Sequence, residues 1–416
     1  MIGDAFDLTV VGLGYIGLPT AALFAASGMR VRGVDVAPAV VDAVNRGAPH
    51  IVEPGLDKIV ATATSSGGLV ASTELQPSDV FVIAVPTPFR GDHEPDLSAV
   101  EAAAASIAPH LRPNDLVVLE STSPVGATES LARWISDRRP DLGLGADHGI
   151  AIAYCPERVL PGNIMHELVH NDRLIGGLTP SCAERAAEFY RRVVKGECRN
   201  TTARTAELAK LTENAFRDVN IAFANELSLV AHDVDVDVWE LIELANLHPR
   251  VNILRPGPGV GGHCIAVDPW FIAHASENTP LIRTARGVND AKPAWVVDRV
   301  LEAIAAIEEP VVACLGLSYK PDIDDLRESP AIEVVRLLSE LERMRVIAVE
   351  PNIGALPAPL VNRAVDFASL DHALAEADVV VGLVPHAEVL QIPAERLEGK
   401  ILVDPAGIFA TRDPLP

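Results

Sequence analysis

Residues 7–35, DLTVVGLGYIGLPTAALFAASGMRVRGVD, run from an apolar stretch through a glycine turn and a helical stretch to a second apolar run closed by an acid. The turn is Gly12-Leu-Gly14-Tyr15-Ile16-Gly17, and the closing acid is Asp35. Strand, turn, helix, strand and acid occur in the order and length of one βαβ unit, so the glycines have assignable tasks. Gly12 permits a tight turn, Gly14 lets backbone approach a pyrophosphate, and Gly17 allows the helix to pack closely. The amino end of the helix supplies amide donors to an anion. A carboxylate at position 35 accepts hydrogen bonds from an adenosine ribose and repels a 2′-phosphate, which favours NAD over NADP. A glycine turn in some other α/β unit would not require that acid.

Working outward, the α/β rhythm continues. Asp79–Pro88 (DVFVIAVPTP) and Asp115–Thr122 (DLVVLEST) read as strands whose carboxyl ends point into the same crevice as the glycine turn, with a helix near 97–107 between them. Thr87 and Thr122 at those ends can touch a nicotinamide-side ribose or water, or serve as turn residues. A further strand at 149–154 feeds CPERVLPG, where Glu157 and Arg158 are placed as a base and an anion contact, or as a surface ion pair. Another strand is expected at 172–178 and a helix at 180–192, so the first domain covers residues 1–201.

Residues 202–234 contain neither Gly nor Pro, and Leu208, Leu211, Ala215, Val219, Ala222 and Val230 recur at helical spacing. Such a helix spans roughly 45 Å, enough to join two domains and offer a face to a second subunit. Lys210, Asn214 and Arg217 fall on one side of it. The flanking Phe216, Ile221 and Phe223 leave little room for a merely solvated stripe. Beyond it, PGPGVGGHCIAVD at 256–268 is too rich in Gly and Pro for regular structure. It can bring backbone close to a ligand while holding the Cys264 thiol at its centre, with Asp268 four residues on.

The last third repeats the rhythm, with strands at 311–316, 345–349, 378–384 and 400–404 and helices near 330–341 and 370–375. A second Rossmann-like domain is therefore expected over residues 306–416, leaving 202–305 as a central helical region. The fold class is α/β, two parallel-sheet domains joined by a long helix. The second domain lacks GxGxxG at its first strand, so it is expected to bind a different nucleotide. Lys320 there can pair with phosphate, and Arg327 with pyrophosphate, a carboxylate or a neighbouring Asp.

The 416 residues are enough for two or three cores, and 49% hydrophobic content argues against disorder. A formal net charge of −23 disfavours nucleic acid and anionic membranes as partners. The five cysteines show no C-x-x-C or metal-finger spacing, so no structural metal is expected, and their odd number suits a reducing compartment. With no basic leader and no membrane-length apolar run, a cytoplasmic protein is expected.

An NAD site and a thiol in a glycine loop together suggest oxidation beyond an aldehyde. An aldehyde can surrender hydride once a nucleophile has added. Cys264 can form a thiohemiacetal whose oxidation leaves a thioester for water to cleave. A simple alcohol dehydrogenase would leave the GGHC loop without a task. A noncatalytic NAD-sensing or assembly protein would not need Cys264 and Lys210.

The motifs GLGYIGLP (12–19), VPTP (85–88), YCPERVLPG (154–162), AELAKLTENAFRDVNIAFANE (206–226), HPRVNILRPGPGVGGHCIAVDPWF (248–271) and KPDIDDLRESP (320–330) span nearly the whole chain. They resemble the nucleotide-sugar 6-dehydrogenase family, which includes the UDP-glucose and GDP-mannose dehydrogenases. The resemblance implies oxidation of a sugar C6 alcohol to a carboxylate with two NAD molecules in sequence. By it, Cys264 matches the nucleophile and Lys210 the acid/base or oxyanion-stabilising lysine. Asn214 and Asp268 match water- and charge-positioning groups, Glu157 the residue of thioester hydrolysis, and Thr122 its strand-end neighbour. The proton path among Lys210, Asp268 and Glu157 stays open. Gly12, Gly14, Tyr15, Ile16, Gly17, Asp35, Thr87, Thr122 and Arg327 match the cofactor side. Arg158, Val159, Lys210, Asn214, Arg217, His248, Arg250, Asn252, Gly261, Tyr319 and Lys320 match substrate-pocket positions, with Arg250 supplied by the same or by a partner subunit. The family comparison also implies a homodimer or higher oligomer packed through the long helix. YCPERVLPG and GGHCIAVDPWF are especially similar to the branch of the family that acts on UDP-N-acetyl-D-mannosamine, and the resemblance implies that substrate, with UDP-N-acetylglucosamine and UDP-glucose as alternatives.

Overall fold

The computed structural model describes residues 6–51, 53–91, 93–145, 148–159, 162–262 and 264–409. The chain divides into two compact units, Met1–Thr212 and Glu213–Pro416.

The first unit runs β1 (Phe6–Val11), α1 (Gly17–Ala26), β2 (Val31–Val34), α2 (Pro38–Asn45), α3 (Leu56–Ser65), β3 (Leu69–Ser72) and β4 (Ser78–Ile83). A two-residue hairpin, β5 (Phe89–Arg90) and β6 (Glu94–Pro95), precedes α4 (Ser98–Ile107), β7 (Leu116–Leu119), α5 (Ala127–Arg138) and β8 (Ala151–Tyr154). Then come α6 (Ile164–His170), β9 (Arg173–Gly177), α7 (Pro180–Tyr190) and β10 (Cys198–Thr202). The sheet order is β10-β9-β8-β7-β4-β1-β2-β3. Helices cover both faces, which is why β7 and β8 are buried along their whole length rather than alternating. Leu8, Val10, Val82 and Val118 pack on one face, Val11, Phe81, Ile83 and Val117 on the other.

The sheet departs from a uniformly parallel one at a single pairing, since β9 runs antiparallel to β8. The connecting helix α6 has only seven residues, about 10 Å, and does not carry the chain back along the sheet before β9 begins. The first residue of β9, Arg173, consequently sits at the end of the sheet where the other strands finish.

The long helix α8 (Ala203–Asp233) has 31 residues, and the boundary between the units falls within it. The flanking aromatic residues are not covered as the sequence suggested: Phe216 is 68% and Phe223 53% exposed. In the second unit follow α9 (Val238–Asn246), α10 (Asp268–Ala275) and α11 (Pro280–Ala303). The second sheet is built from β11 (Val311–Leu315), α12 (Pro330–Ser339), β12 (Arg345–Val349), β13 (Val365–Phe367), α13 (Leu370–Glu376), β14 (Val379–Gly382), α14 (Ala387–Leu390) and β15 (Ile401–Val403). Its order is β13-β12-β11-β14-β15, with every pairing parallel. The two sheets are the two Rossmann-like halves of the fold.

Both sheets close the first βαβ turn in the same way. The acid ending the second strand accepts an amide from the turn after the first: Leu13 N donates to Asp35 Oδ2 at 2.9 Å, and Leu317 N to Glu350 Oε2 at 2.8 Å. Glu350 is further committed to Ser318 N and, at 3.0 Å, to His386 Nε2. Burial alone would raise this carboxyl, but His386 and the amides hold it at about 2. Among the described residues, no helix is long and apolar enough to cross a membrane.

Candidate active site

In the glycine turn the three glycines answer to different neighbours. Gly12 has φ +94°, and a Cβ there would meet Ala84 O at 2.4 Å. A Cβ on Gly17 would lie 1.9 Å from Gly12 O, so both are demanded by the fold itself. Gly14 meets nothing within 4 Å, and the turn leaves space above its backbone. Helix α1 starts with Ile16 at its cap, with neither a side-chain cap nor an acid in its first turn, so its positive end is offered to an anion. Tyr15 is 42% exposed beside it. Asp35 accepts from Leu13 N and Ala37 N, each at 2.9 Å, which leaves its remaining lone pairs for a ribose. An open glycine, an uncapped helix end and an oriented carboxylate together fit NAD.

At the carboxyl end of the first sheet, Thr87 Oγ1 donates to Thr122 O at 2.5 Å, joining the loops after β4 and β7. Glu157, in the turn after β8, is buried, and its Oε2 accepts from Val159 N at 2.9 Å. Burial pushes its carboxyl up, against the pull of Arg173, Val159 N and Lys210. Arg158 is half-buried and donates to Asp172 O at 3.3 Å. Lys210 is 8% exposed on the first half of α8. Two buried acids hold these loops. Glu207 accepts from Gly126 N, Thr128 N and Thr128 Oγ1 at 2.6–2.8 Å and so caps α5. Glu53 accepts from Gly162 N and Ile164 N at 2.9 and 2.7 Å at the start of α6. Neither acid stands out in the sequence, because nothing local marks a cap supplied from 80 to 110 residues away.

In the second unit, Cys264 is half-buried in the turn leading into α10, and its carbonyl accepts Val267 N at 3.2 Å and Asp268 N at 2.9 Å. Asp268 opens α10, is 2% exposed, and accepts from Asn214 Nδ2 at 2.5 Å. The glycines before Cys264 have specific neighbours. A Cβ on Gly261 would lie 2.6 Å from both Glu328 O and Tyr319 Cβ, and one on Gly262 would lie 2.9 Å from the Tyr319 ring. The loop is tied down by Gly262 N to Arg327 O at 3.0 Å and Gly257 N to Asn225 Oδ1 at 2.9 Å. Asn225 also bonds Asn289, which reaches Asp218, itself paired with Arg286 at 2.6 Å. This buried network joins α8 to α11 behind the thiol loop, and sequence reading passed over all of it.

Not every expected pocket residue is gathered in. Tyr319, which lies against Gly261 and Gly262, and Lys320 are half-buried, whereas Arg217, His248, Arg250 and Asn252 are exposed. Arg327 is exposed and forks onto Asp325, with Nη2 to Oδ2 at 2.6 Å, the loop pairing that competes with its cofactor assignment.

Comparison with known proteins places this geometry. Residues 6–194 match the NAD binding domain of the UDP-glucose/GDP-mannose dehydrogenase family, 204–291 its central domain and 313–414 its UDP binding domain. A Ralstonia nicotianae protein named NDP-N-acetyl-D-galactosaminuronic acid dehydrogenase is 56% identical over 98% of this chain and 97% of its own. A Yersinia pestis UDP-N-acetyl-D-mannosamine dehydrogenase is likewise 56% identical, over 97% of this chain and 99% of its own. The structure of a UDP-D-ManNAc dehydrogenase from Pyrococcus horikoshii superimposes with a TM-score of 0.89 at 39% identity, covering 98% of this chain and 97% of that one. With a dinucleotide turn built for NAD at one end and a UDP binding domain at the other, this chain belongs to the UDP-glucose/GDP-mannose dehydrogenase family of NAD-dependent nucleotide-sugar dehydrogenases.

Proposed function

We propose that the protein carries out the four-electron oxidation of UDP-N-acetyl-D-mannosamine at C6, giving UDP-N-acetyl-D-mannosaminuronate. The observation that carries this reading is the Cys264 turn: a half-buried cysteine whose carbonyl accepts two backbone hydrogen bonds at the head of α10, with Asp268, four residues on, bonded to Asn214. NAD, when bound, supplies the acceptor for one hydride in each oxidation. Gly12, Gly14, Tyr15, Ile16, Gly17, Asp35, Thr87 and Thr122 would hold it, with Arg327 once released from Asp325.

The residues then have separable tasks. The first oxidation turns the C6 alcohol into an aldehyde, and the hydroxyl proton passes to a basic group among Lys210 and Asp268. The sulfur of Cys264 adds to the aldehyde carbon, and an ammonium such as Lys210 stabilises the oxygen that becomes negative. The second oxidation leaves a thioester on Cys264. Water, deprotonated by Glu157 and oriented by Thr122, attacks its carbonyl and breaks the C–S bond; the expelled thiolate takes up the proton that Glu157 holds, so that the sugar acid is released and the Cys264 thiol restored. Asn214 and Asp268 position water and charge. Arg158, Val159, Arg217, His248, Arg250, Asn252, Gly261, Tyr319 and Lys320 are assigned to nucleotide-sugar binding. The division into residues 1–201, 202–305 and 306–416 belongs to the same proposal, as do a cytoplasmic location and a homodimer.

The Ralstonia relative, at the same identity as the Yersinia one, supports a second reading, an N-acetyl-galactosamine nucleotide as substrate. Turnover with NAD on UDP-N-acetylmannosamine, UDP-N-acetylgalactosamine, UDP-N-acetylglucosamine and UDP-glucose separates them. Two NADH per sugar and an acid of the expected mass, formed preferentially from the mannosamine compound, is the expected result. Preference for another sugar keeps the chemistry and replaces the substrate, and no turnover with any of them revives the sensing role. Cys264→Ser should block acid formation at the aldehyde stage; undiminished acid would remove the thioester route.

A further inference from the structure

Behind Glu157 lies a second acid that the reaction as described does not use. Glu120 directly follows β7 and is completely buried. Its Oε2 accepts from Thr20 Oγ1 on α1 at 3.0 Å, and its Oε1 accepts from Tyr190 Oη on α7 at 3.3 Å. Arg173 Nη1 stands 4.0 Å from Oε1. Arg173 reaches this place because β9 runs antiparallel to β8, which brings its first residue to the end of the sheet where Glu157 sits. The arginine is 4% exposed, lies 5.5 Å over the Tyr190 ring and spends one nitrogen on Leu168 O.

Facing Glu120 and Glu157 are Arg173 from β9, Tyr190 from α7, Cys155 from the end of β8 and Lys210 from α8, with Cys198 of β10 beyond Cys155. Burial pushes the Cys155 thiol up to about 12 and Tyr190 well above its ordinary value, so both stay neutral. Lys210 acts on Glu157 but is not among the charges acting most strongly on Glu120. Arg173 is thus the cation that acts on both buried carboxylates, and among the described residues Glu120 has no second positive charge of its own. Burial, with the charge of Glu157 adding to it, raises Glu120 to about 7 against the pull of Arg173.

We propose that Glu120 is a positioning residue for Glu157: the two carboxyl groups share a single proton and compete for Arg173, and whichever holds the proton leaves the other ionised against the guanidinium. Ionised Glu157 is the form that can take a proton from water, so Glu120 sets the pH at which the thioester is cleaved. When Glu157 takes that proton, Glu120 can give up its own and inherit Arg173. This inference rests on the assignment of Glu157 to thioester hydrolysis.

The test uses the full chain with NAD and the UDP-sugar it turns over, following the mass of the Cys264 adduct by rapid quench across pH 5–9. Glu120→Gln removes the competing charge, so the acid limb of adduct cleavage should move down by about one pH unit. An unmoved limb, or one moved up, in a variant of unchanged melting temperature overturns the proposal. Should Glu120→Gln fail to fold, infrared spectra provide a readout independent of activity. Wild-type protein at neutral pH should show the carbonyl band of a buried protonated carboxyl group, and Glu157→Gln should lose it because Glu120 then pairs with Arg173 alone. No band in the wild type, or a band persisting in Glu157→Gln, also overturns the sharing. If Glu157→Gln accumulates no adduct, the assignment of Glu157 as the hydrolytic base fails, while the infrared result still decides whether the proton is shared.

Discussion

Lys292 shows how far a single side chain can depart from what its type suggests. It is 1% exposed on α11, donates to Ser228 Oγ, lies 3.7 Å over the Trp295 ring, and is lowered to about 7 by burial. The unfolded chain retains this proton up to about pH 10.5 while the folded chain gives it up near 7. Between those values the unfolded state binds more protons, so the Lys292 contribution to stability rises with pH. Lys292→Met should raise the melting temperature at pH 7, with a gain of about 1–3 kcal/mol that shrinks toward pH 10. Thermal unfolding of both proteins across that range checks the sign; a destabilised Met variant at pH 7 would show that the ring and hydroxyl outweigh desolvation. A lysine followed by proline reads from sequence as a loop, and only packing reveals its burial.

At the level of elements, the site is held by caps and crossings between parts distant in the chain. Glu207 on α8 satisfies the first amides of α5, whose own cap, Gly126, has no side chain to offer. Glu207→Ala leaves those amides buried without an acceptor and should cost about 2–4 kcal/mol. Glu207→Gln, keeping one acceptor oxygen, should recover part of it, and chemical denaturation of the three proteins checks the order. Proline inside α11 has a related effect. Pro293 has no amide for the carbonyl of Asn289, and that oxygen instead lies 3.1 Å from where a Cβ on Gly259 would be. α11 nevertheless continues past Pro293, with the Asn289 carbonyl facing Gly259 of the glycine loop.

For the whole molecule, the outstanding feature is an apolar stripe on α8. Phe216, Phe223 and Val230 recur every seven residues at 68%, 53% and 50% exposure. Side chains seven apart share one helix face, and covering that face with its copy from a second chain removes it from water. Phe216→Glu combined with Phe223→Glu should convert the expected homodimer to monomer in sedimentation velocity while leaving helix content by circular dichroism unchanged. A wild-type protein that already sediments as a monomer would refute the assembly.

The fold was legible where physics is local. The βαβ pattern of residues 7–35, the uninterrupted apolar strands and the Gly-free run of α8 each dictate their element through period, turn chemistry and propensity. The Gly- and Pro-rich run before Cys264 was legible as irregular structure for the same reason, but that Gly261 and Gly262 stand where a Cβ would strike Tyr319 or Glu328 O is a tertiary fact. The sequence could not show which polar groups are buried together. Glu120 with Arg173, Glu207 with α5, and Asp218 with Arg286 and Asn289 lie 53 to 81 residues apart in sequence, and each pairing exists because an apolar core excludes water around it. The reversal of β9 belongs to the same class. It follows from how a short helix packs, and it brings Arg173 to within 4.0 Å of Glu120 at the end of the sheet.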